Sequence, residues 1–346
     1  MFAQNGVKDM KVTISDVAKL AGVSTATVSH TINNTRYVSN ETKEKVYQAI
    51  SQLGYTPDAS ARSFRTGKKK TIGFIVPDIS NKFFATMIES VENQLSQAGY
   101  HLIIANTKED MDREETNIRL LSAGLVDGLL IASTIDDAQR FDSLIPAGFP
   151  VVLVDRTFET KHYSSVCVSN FQPIYRSVCR LSGKGDQRVG IIGGLPRLSS
   201  TKERISAYEQ AVADCGLAAE PDLICYGDSM ENSAFRCLDE LLERKCDAII
   251  VCQGLMAVDS ITYLHRKGLR IGQDIDLVCF VDYDSSFYRL YAGQMDSIIQ
   301  PVEELGRAAG EQILKRVEDP EAPIFEKVLT SVYKPCTPVA ASPSDR

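Results

Sequence analysis

From Thr71 onward the chain alternates short apolar runs with amphipathic stretches, and it does so twice over. Strand candidates at 72–76, 102–105, 128–131 and 151–154 are separated by helical periodicity near 82–98, 112–122 and 138–147. After 165–168 the pattern restarts, with strands at 189–192, 223–226, 248–252 and 277–281 and helices near 171–182, 202–215, 231–244 and 255–267. Such alternation argues for parallel sheets with helices on both faces. Two successive sets predict two similar α/β lobes, with a ligand cleft where the carboxyl ends of their strands face each other. The strand 297–299 and the helix 302–317 fit neither set and read as a crossover back to the first lobe, with 328–333 returning to the second. The expected core is therefore 71–333: a first lobe of about 71–168 and 299–321, and a second of about 169–298 and 322–333. The tail 334–346, rich in Pro, Ser and Ala, reads as disordered.

Ahead of this core lies a stretch of different texture. In 12–34, Ile14, Val17, Ala18 and Ala21 share one face of a short helix, with Ser15 as its N-cap, and Gly22 supplies a turn. Ser24 caps a second helix that turns Val28 and Ile32 inward and Thr25, Ala26, Thr27, Ser29 and His30 outward. Two short helices joined by a tight Gly turn form a helix-turn-helix, which lays the start of its second helix in the DNA major groove. Small hydroxyls suit phosphates and base edges, Ala26 suits a thymine methyl, and His30 suits a guanine. An ordinary packed helix pair is the competing reading. A third helix starts near Val38, turns Val46, Ile50 and Leu53 inward, and ends at Gly54. The headpiece is placed at 11–57 and a hinge and linker at 58–70.

Charge favours the DNA reading. The chain is acidic, net −7, but residues 1–70 hold 11 Lys/Arg against 5 Asp/Glu, leaving 27 against 40 in the remainder. A head of +6 on a body of −13 is the asymmetry expected when one module meets a phosphate backbone. The nine cysteines show no C-x-x-C and no ligand-type spacing with histidine, so reduced cytosolic thiols and no metal are expected. Residues 1–10 are polar and expected to be disordered, no run approaches a membrane span, and a cytoplasmic location follows as the expectation. Catalytic motifs are missing: 190–194 lacks the full G-x-G-x-x-G, there is no Walker A or G-x-S-x-G, and only four histidines occur. No enzyme activity and no cofactor are expected.

The ordered run from Val12 to Phe64 resembles the DNA-binding headpiece of the lactose/galactose repressor family, and the second helix is most similar to its purine-repressor branch. The resemblance implies a homodimer, possible as a tetramer too, on double-stranded palindromic operator DNA. Thr25, Ala26 and His30 would choose bases, Ser15, Ser24, Asn33 and Tyr55 would fix the position through phosphates, and Thr27 and Ser29 would belong to the same DNA-binding face. It also implies a hinge helix from Asp58 to about Thr66 that carries Ala61 and wedges an apolar side chain into the minor groove; here that position is Phe64, where the family has leucine. The remainder resembles the family's sugar-binding core, itself similar to periplasmic ribose-binding proteins. Asn81-Lys82-Phe83-Phe84 matches the family's Asn-Pro-Phe-Phe, Val154-Asp155-Arg156 an Asp-Arg pair, Arg204 a cleft arginine, and Gln300-Pro301 a crossover glutamine. The implied ligand set is Asn81, Phe83, Phe84, Asp155, Arg156, Arg204, Gln253, Asp282 and Gln300. Plain core for the two rings and a strand-end ion pair for Asp155–Arg156 are the bland readings. Two departures stand out: Gln253-Gly254 replaces Asn-Asp, and Val281 replaces the first aspartate of Gly-Phe-Asp-Asp. Segments 155–165 and 194–204 look more like the fructose-repressor branch. With Arg156, Arg197 and Arg204 around the cleft, the expected effector is a sugar or sugar phosphate; a purine-type corepressor is the alternative.

Overall fold

The structure, a computed structural model, describes residues 12–34, 36–56, 68–158, 162–228, 232–281, 286–291 and 293–336. They fall into two compact units, divided along the chain between Lys69 and Lys70. The hinge positions Ala61 and Phe64, the cleft candidate Asp282 and the first ten residues lie outside the described residues.

The first unit is three helices: α1 (Ile14–Ala21), α2 (Thr25–Asn33) and α3 (Asn40–Leu53). Val17, Ala18, Ala21, Val28, Val46 and Ala49 form its core, edged by half-buried Ile14, Ile32, Ile50, Leu53 and Tyr55. The caps explain why such short helices persist. Ser24 Oγ accepts from the Thr27 N–H (3.0 Å), and Ser39 Oγ from that of Thr42 (3.4 Å). Gly22 (φ 65°) and Gly54 (φ 62°) adopt the left-handed backbone that closes α1 and α3. Ser15 is not the cap of α1. The helix starts two residues earlier in capping terms, at Thr13, whose N–H (3.0 Å) and hydroxyl (2.7 Å) both donate to Asp16.

The second unit holds two six-stranded sheets. In the first, β11-β5-β4-β3-β1-β2, every pairing is parallel: β1 is Thr71–Val76, β2 His101–Asn106, β3 Gly128–Ile131, β4 Val151–Val154, β5 Ser164–Ser169 and β11 Glu326–Thr330. The second has the order β12-β10-β9-β8-β6-β7, with β6 Val189–Gly193, β7 Ile224–Tyr226, β8 Ala248–Val251, β9 Asp276–Val281, β10 Asp296–Ile299 and β12 Val332–Lys334. Only β12 runs antiparallel. Helices α4 (Lys82–Gln97), α5 (Met111–Ser122) and α6 (Ala138–Asp142) serve the first lobe. The second takes α7 (Phe171–Lys184), α8 (Ser199–Asp214), α9 (Ser233–Glu243), α10 (Gly254–Arg266) and the short α11 (Ser286–Arg289). β3, β4 and β8 are buried at every residue, as strands covered on both faces must be.

The chain crosses between lobes three times: after β5, after β10 and between β11 and β12. The 302–317 helix is α12 (Val302–Glu318), and it packs on the first lobe as expected, Leu305, Ala309 and Ile313 joining Phe74, Met87 and Val91. The run 328–333 is not one strand of the second lobe. It is the end of β11, in register with β5 of the first sheet, then Ser331, then β12 beside β10. The crossovers are tied together: Ser331 donates to Ser169 through its N–H (3.1 Å) and to Asn170 through its hydroxyl (2.6 Å). Two further readings change. The helix expected at 138–147 ends at Asp142, where Leu144 and Ile145 donate three residues back and Pro146 follows. The start of the tail is held in place: the Cys336 N–H (2.8 Å), Arg180 Nε (3.1 Å) and the Tyr333 hydroxyl all donate to buried Asp296, while 337–346 lie outside the described residues.

α12 meets α4 at two glycines. A methyl group on Gly306 would stand 2.7 Å from the Met87 carbonyl oxygen and 2.7 Å from Ser90 Cβ. Backbone cannot yield as a side chain does. Gly306→Ala is therefore expected to cost about 1–3 kcal/mol through overpacking, despite the roughly 1 kcal/mol that alanine adds to helix propensity. Urea denaturation measures the difference.

Among the described residues no helix is long and apolar enough to cross a membrane, and no group of three or more His, Cys, Asp or Glu is placed to hold a metal.

Candidate functional site

On the first unit, α2 exposes Thr25 and Ala26, while Thr27, Ser29, His30 and Asn33 are half-buried. Several of these polar groups are already engaged. Ser24 and Thr27 share a hydroxyl–hydroxyl bond (2.9 Å), and Asn33 Nδ2 folds back to the Ser29 carbonyl (2.8 Å). Ser15 is exposed on α1, and half-buried Tyr55 edges the core. Thr25 and Ala26 thus stand at the open start of α2, where a recognition helix makes base contacts. Tyr37, 95% exposed beyond α2, is an aromatic that the helical periodicity did not single out.

The second unit holds a cleft, open at its mouth and lined from both lobes, with about 700 Å³ of empty space when the solvent at its mouth is included. Its walls come from residues that follow strand carboxyl ends, as expected: Pro77 and Asp78 after β1, Asp155 and Arg156 after β4, Cys252 and Gln253 after β8, Gln300 after β10. Asn81 caps α4, its side-chain oxygen accepting from the Phe83 N–H (3.0 Å). Phe83 and Phe84 meet edge to face at 5.1 Å, and Phe84 belongs equally to the first-lobe core. Of the sequence-derived set, Asn81, Phe83, Phe84, Asp155, Arg156, Arg204, Gln253 and Gln300 all line this one cavity.

Asp155 sits at φ 64°, and the Arg156 N–H donates to the Val154 carbonyl (2.7 Å), closing a three-residue turn on it. A non-glycine residue held there is strained, and such strain collects at functional sites. Burial pushes the Asp155 carboxyl above the ordinary aspartate range, against the opposing pull of Arg156 and Arg204. Arg156 is buried and forked onto Glu109 by two bonds (2.8 and 2.7 Å). Burial works against its charge, but Glu109 and then Asp155 raise its pKa overall. Glu109, absent from the sequence-derived set, is the residue that sets this guanidinium. It also accepts from the Thr134 hydroxyl (3.2 Å), and both Lys108 (φ 56°) and Glu109 (φ 59°) occupy the left-handed region. From the second lobe, Arg204 Nη1 donates to the Cys252 carbonyl (2.7 Å) and its guanidinium lies 4.3 Å from the Phe280 ring centre. Arg204 Nε and Gln300 Nε2 are buried polar atoms without a hydrogen-bond partner.

Two expectations about the cleft need correction. Arg197 does not line it; Nε and Nη2 reach across the lobe boundary to the Thr134 and Glu109 carbonyls (3.3 Å each). Val281 ends β9 against the second-lobe core and is not part of the cleft wall. Among the described residues the lining charges are four acids (Asp78, Glu109, Asp155, Asp228) and three bases (Lys108, Arg156, Arg204), with Lys108 paired to Asp78 at 2.6 Å. An excess of arginine around the ligand is not what the geometry provides.

Comparison with known proteins agrees with this division. Residues 13–58 match the family described as bacterial regulatory proteins, lacI family. Residues 69–336 match periplasmic binding proteins and the sugar binding domain of the LacI family. The HTH-type transcriptional repressor PurR of Aliivibrio salmonicida (strain LFI1238) is 34% identical over 91% of this chain and 95% of its own. That of Pasteurella multocida (strain Pm70) is 32% identical over 89% and 92%. Among solved structures, a transcriptional regulator CelR–cellobiose complex superposes with a TM-score of 0.69 at 26% identity, covering 93% of this chain and 98% of that one. The lac repressor dimer bound to operator and the anti-inducer ONPF reaches 0.80 at 23% identity, over 93% and 97%, a likeness of fold. Helix-turn-helix headpiece, two-lobed core and relatives matched along nearly their whole length lead to one conclusion: this chain belongs to the lacI family of bacterial regulatory proteins.

Proposed function

We propose that the protein is a repressor that binds a palindromic operator as a dimer and responds to a neutral, hydroxyl-rich sugar held between the lobes, acting in the cytoplasm. The observation that carries the ligand class is the charge balance of the cleft wall. With four acids against three bases, and Arg156 already neutralised by Glu109, a phosphate dianion would meet a net negative wall. A sugar instead supplies hydroxyl donors for the Asp155 carboxylate and acceptors for Arg204 Nε and Gln300 Nε2, while Phe83 covers its apolar face. Cellobiose, the sugar in the complex of the CelR neighbour, is of the same class. A purine corepressor is the second reading, motivated by the resemblance of α2 to the purine-repressor branch. A thermal-shift screen of neutral sugars, sugar phosphates and purine bases separates the three, since a ligand bound only by the native state raises the melting temperature. Stabilisation by a sugar phosphate and by no neutral sugar would overturn the assignment.

On the DNA side, Thr25 and Ala26 are the proposed base readers, with Ser15, Ser24, Thr27, Ser29, Asn33 and Tyr55 positioning the headpiece, and His30 completing the readout. Ala61 and Phe64 are proposed for the minor groove. Exchanging Thr25 and Ala26 for another pair is expected to change which operator a random-sequence selection recovers, each mismatched base pair costing about 1–3 kcal/mol. An unchanged operator bound more weakly would assign the two residues to backbone contact instead.

A further inference from the structure

All nine cysteines are free thiols, and most are sealed in the second-lobe core. One pair differs. Cys179, on the third turn of α7, and Cys215, the cap residue ending α8, are both half-buried, and their sulfurs stand 2.8 Å apart. The surroundings hold the two together. One turn before Cys179, the Tyr175 hydroxyl donates to Asp214, the neighbour of Cys215 (3.0 Å), and α7 and α8 share the core of Ile174, Val178, Ala211 and Val212. Two thiols already in contact on packed helices need only a small side-chain shift to reach the bond length of about 2.05 Å.

We propose that Cys179 and Cys215 form a reversible disulfide site, oxidised by peroxide and reduced again by cellular thiols. The geometry assigns the two sulfurs different parts. The Cys215 thiol donates its hydrogen to Cys179 Sγ, which makes Cys215 the donor and Cys179 the acceptor of the pair. Burial, with the bond to Cys179 adding, pushes the Cys215 thiol up to about 11, so Cys215 is the protonated partner. Cys179 thiolate attacks a peroxide oxygen: the S–O bond forms, the O–O bond breaks, and the departing hydroxide takes a proton to leave as water. Cys215 then attacks the Cys179 sulfenic acid: the S–S bond forms, the S–O bond breaks, and the Cys215 proton leaves with the hydroxide as a second water. Two thiols and one hydrogen peroxide become one disulfide and two waters, the peroxide being reduced. Within a reducing cytosol such a bond is transient, the form that sensing disulfides take there. It would staple the end of α8, whose start carries Arg204 into the cleft, to α7, which begins at the crossover.

The test uses the full chain, hydrogen peroxide as the probe, alkylation of remaining thiols and non-reducing peptide mapping. Expected is a Cys179–Cys215 linked peptide, a fall of two in alkylatable thiols from nine, and full reversal by dithiothreitol. In Cys215→Ser the link cannot form, and Cys179 should be trapped as sulfenic acid by dimedone; in Cys179→Ser, Cys215 should resist oxidation. Circular dichroism melts of both variants check that they fold. Retention of all nine thiols in the wild type under peroxide, or links joining Cys179 to a different cysteine, would overturn the proposal. Dimedone capture at Cys215 rather than Cys179 would overturn the assigned roles.

Discussion

Arg204→Ala is expected to remove the effector response while operator affinity without effector stays within about twofold of wild type. The side chain does three things that alanine cannot. It donates to the Cys252 carbonyl, lies over the Phe280 ring, and leaves Nε as a buried donor without a protein partner in the cleft. Truncating one partner of a buried, charged hydrogen bond costs about 2–5 kcal/mol, roughly 30-fold to several thousand-fold in affinity. Arg204→Lys should fail almost as badly, because an ammonium reproduces neither the fork nor the stack. Operator binding is spared because a ligand shifts an equilibrium only by its differential affinity for the two states. Operator titrations by anisotropy, with and without the sugar found by thermal shift, read both quantities. An intact response in Arg204→Ala would place the site elsewhere. Asp155 adds a pH signature. Its carboxyl is held above the ordinary aspartate range by burial, and its charged form is the acceptor for sugar hydroxyls. Effector affinity should therefore decline on acidification earlier than an unperturbed aspartate (pKa about 3.9) would allow. Asp155→Asn should bind weakly at every pH and lose that dependence.

Much of the cleft was legible because several of its residues follow a strand end, and strand ends are marked by local pattern. Asn81, Asp155, Gln253 and Gln300 each stand within a few residues of an apolar run that periodicity identifies. The headpiece was legible for a similar reason, since the turn glycines and the Ser24 cap act over four residues or fewer. What failed was non-local or competitive. Within 326–334 no local property says that Glu326 to Thr330 pair with β5 while Val332 to Lys334 pair with β10. Thr13 outcompeted Ser15 as cap because it stands three residues before Asp16, the spacing of a capping box. Glu109 was missed because Lys108-Glu109-Asp110 reads as an ordinary charged turn; its importance comes from a left-handed backbone and from Arg156, 47 residues away. Arg197 was misplaced for the opposite reason. A cationic residue near a cleft reads as a ligand contact, yet its partners are two backbone carbonyls across the lobe boundary.

Glu109→Ala is the substitution expected to cost the most stability in the core. It leaves the Arg156 guanidinium, whose side chain is 7% exposed, without the carboxylate that receives both of its Nη groups. Breaking a buried pair by removing one partner costs about 3–5 kcal/mol, because the other charge stays buried. The lower end applies here, since Asp155 remains 3.7 Å from Nε and keeps part of the compensation. Lost strain at φ 59° does not offset this, because alanine is no better suited to that backbone than glutamate. The double variant Glu109→Ala, Arg156→Met is expected to recover most of the loss, since replacing both members of a buried pair with an apolar group is often neutral. Effector binding separates the two effects. The double variant should fold with near wild-type resistance to urea and still bind sugar poorly, because Arg156 lines the cleft. Equal stability of the single and double variants would mean that the Glu109–Arg156 fork contributes through packing and not through charge compensation.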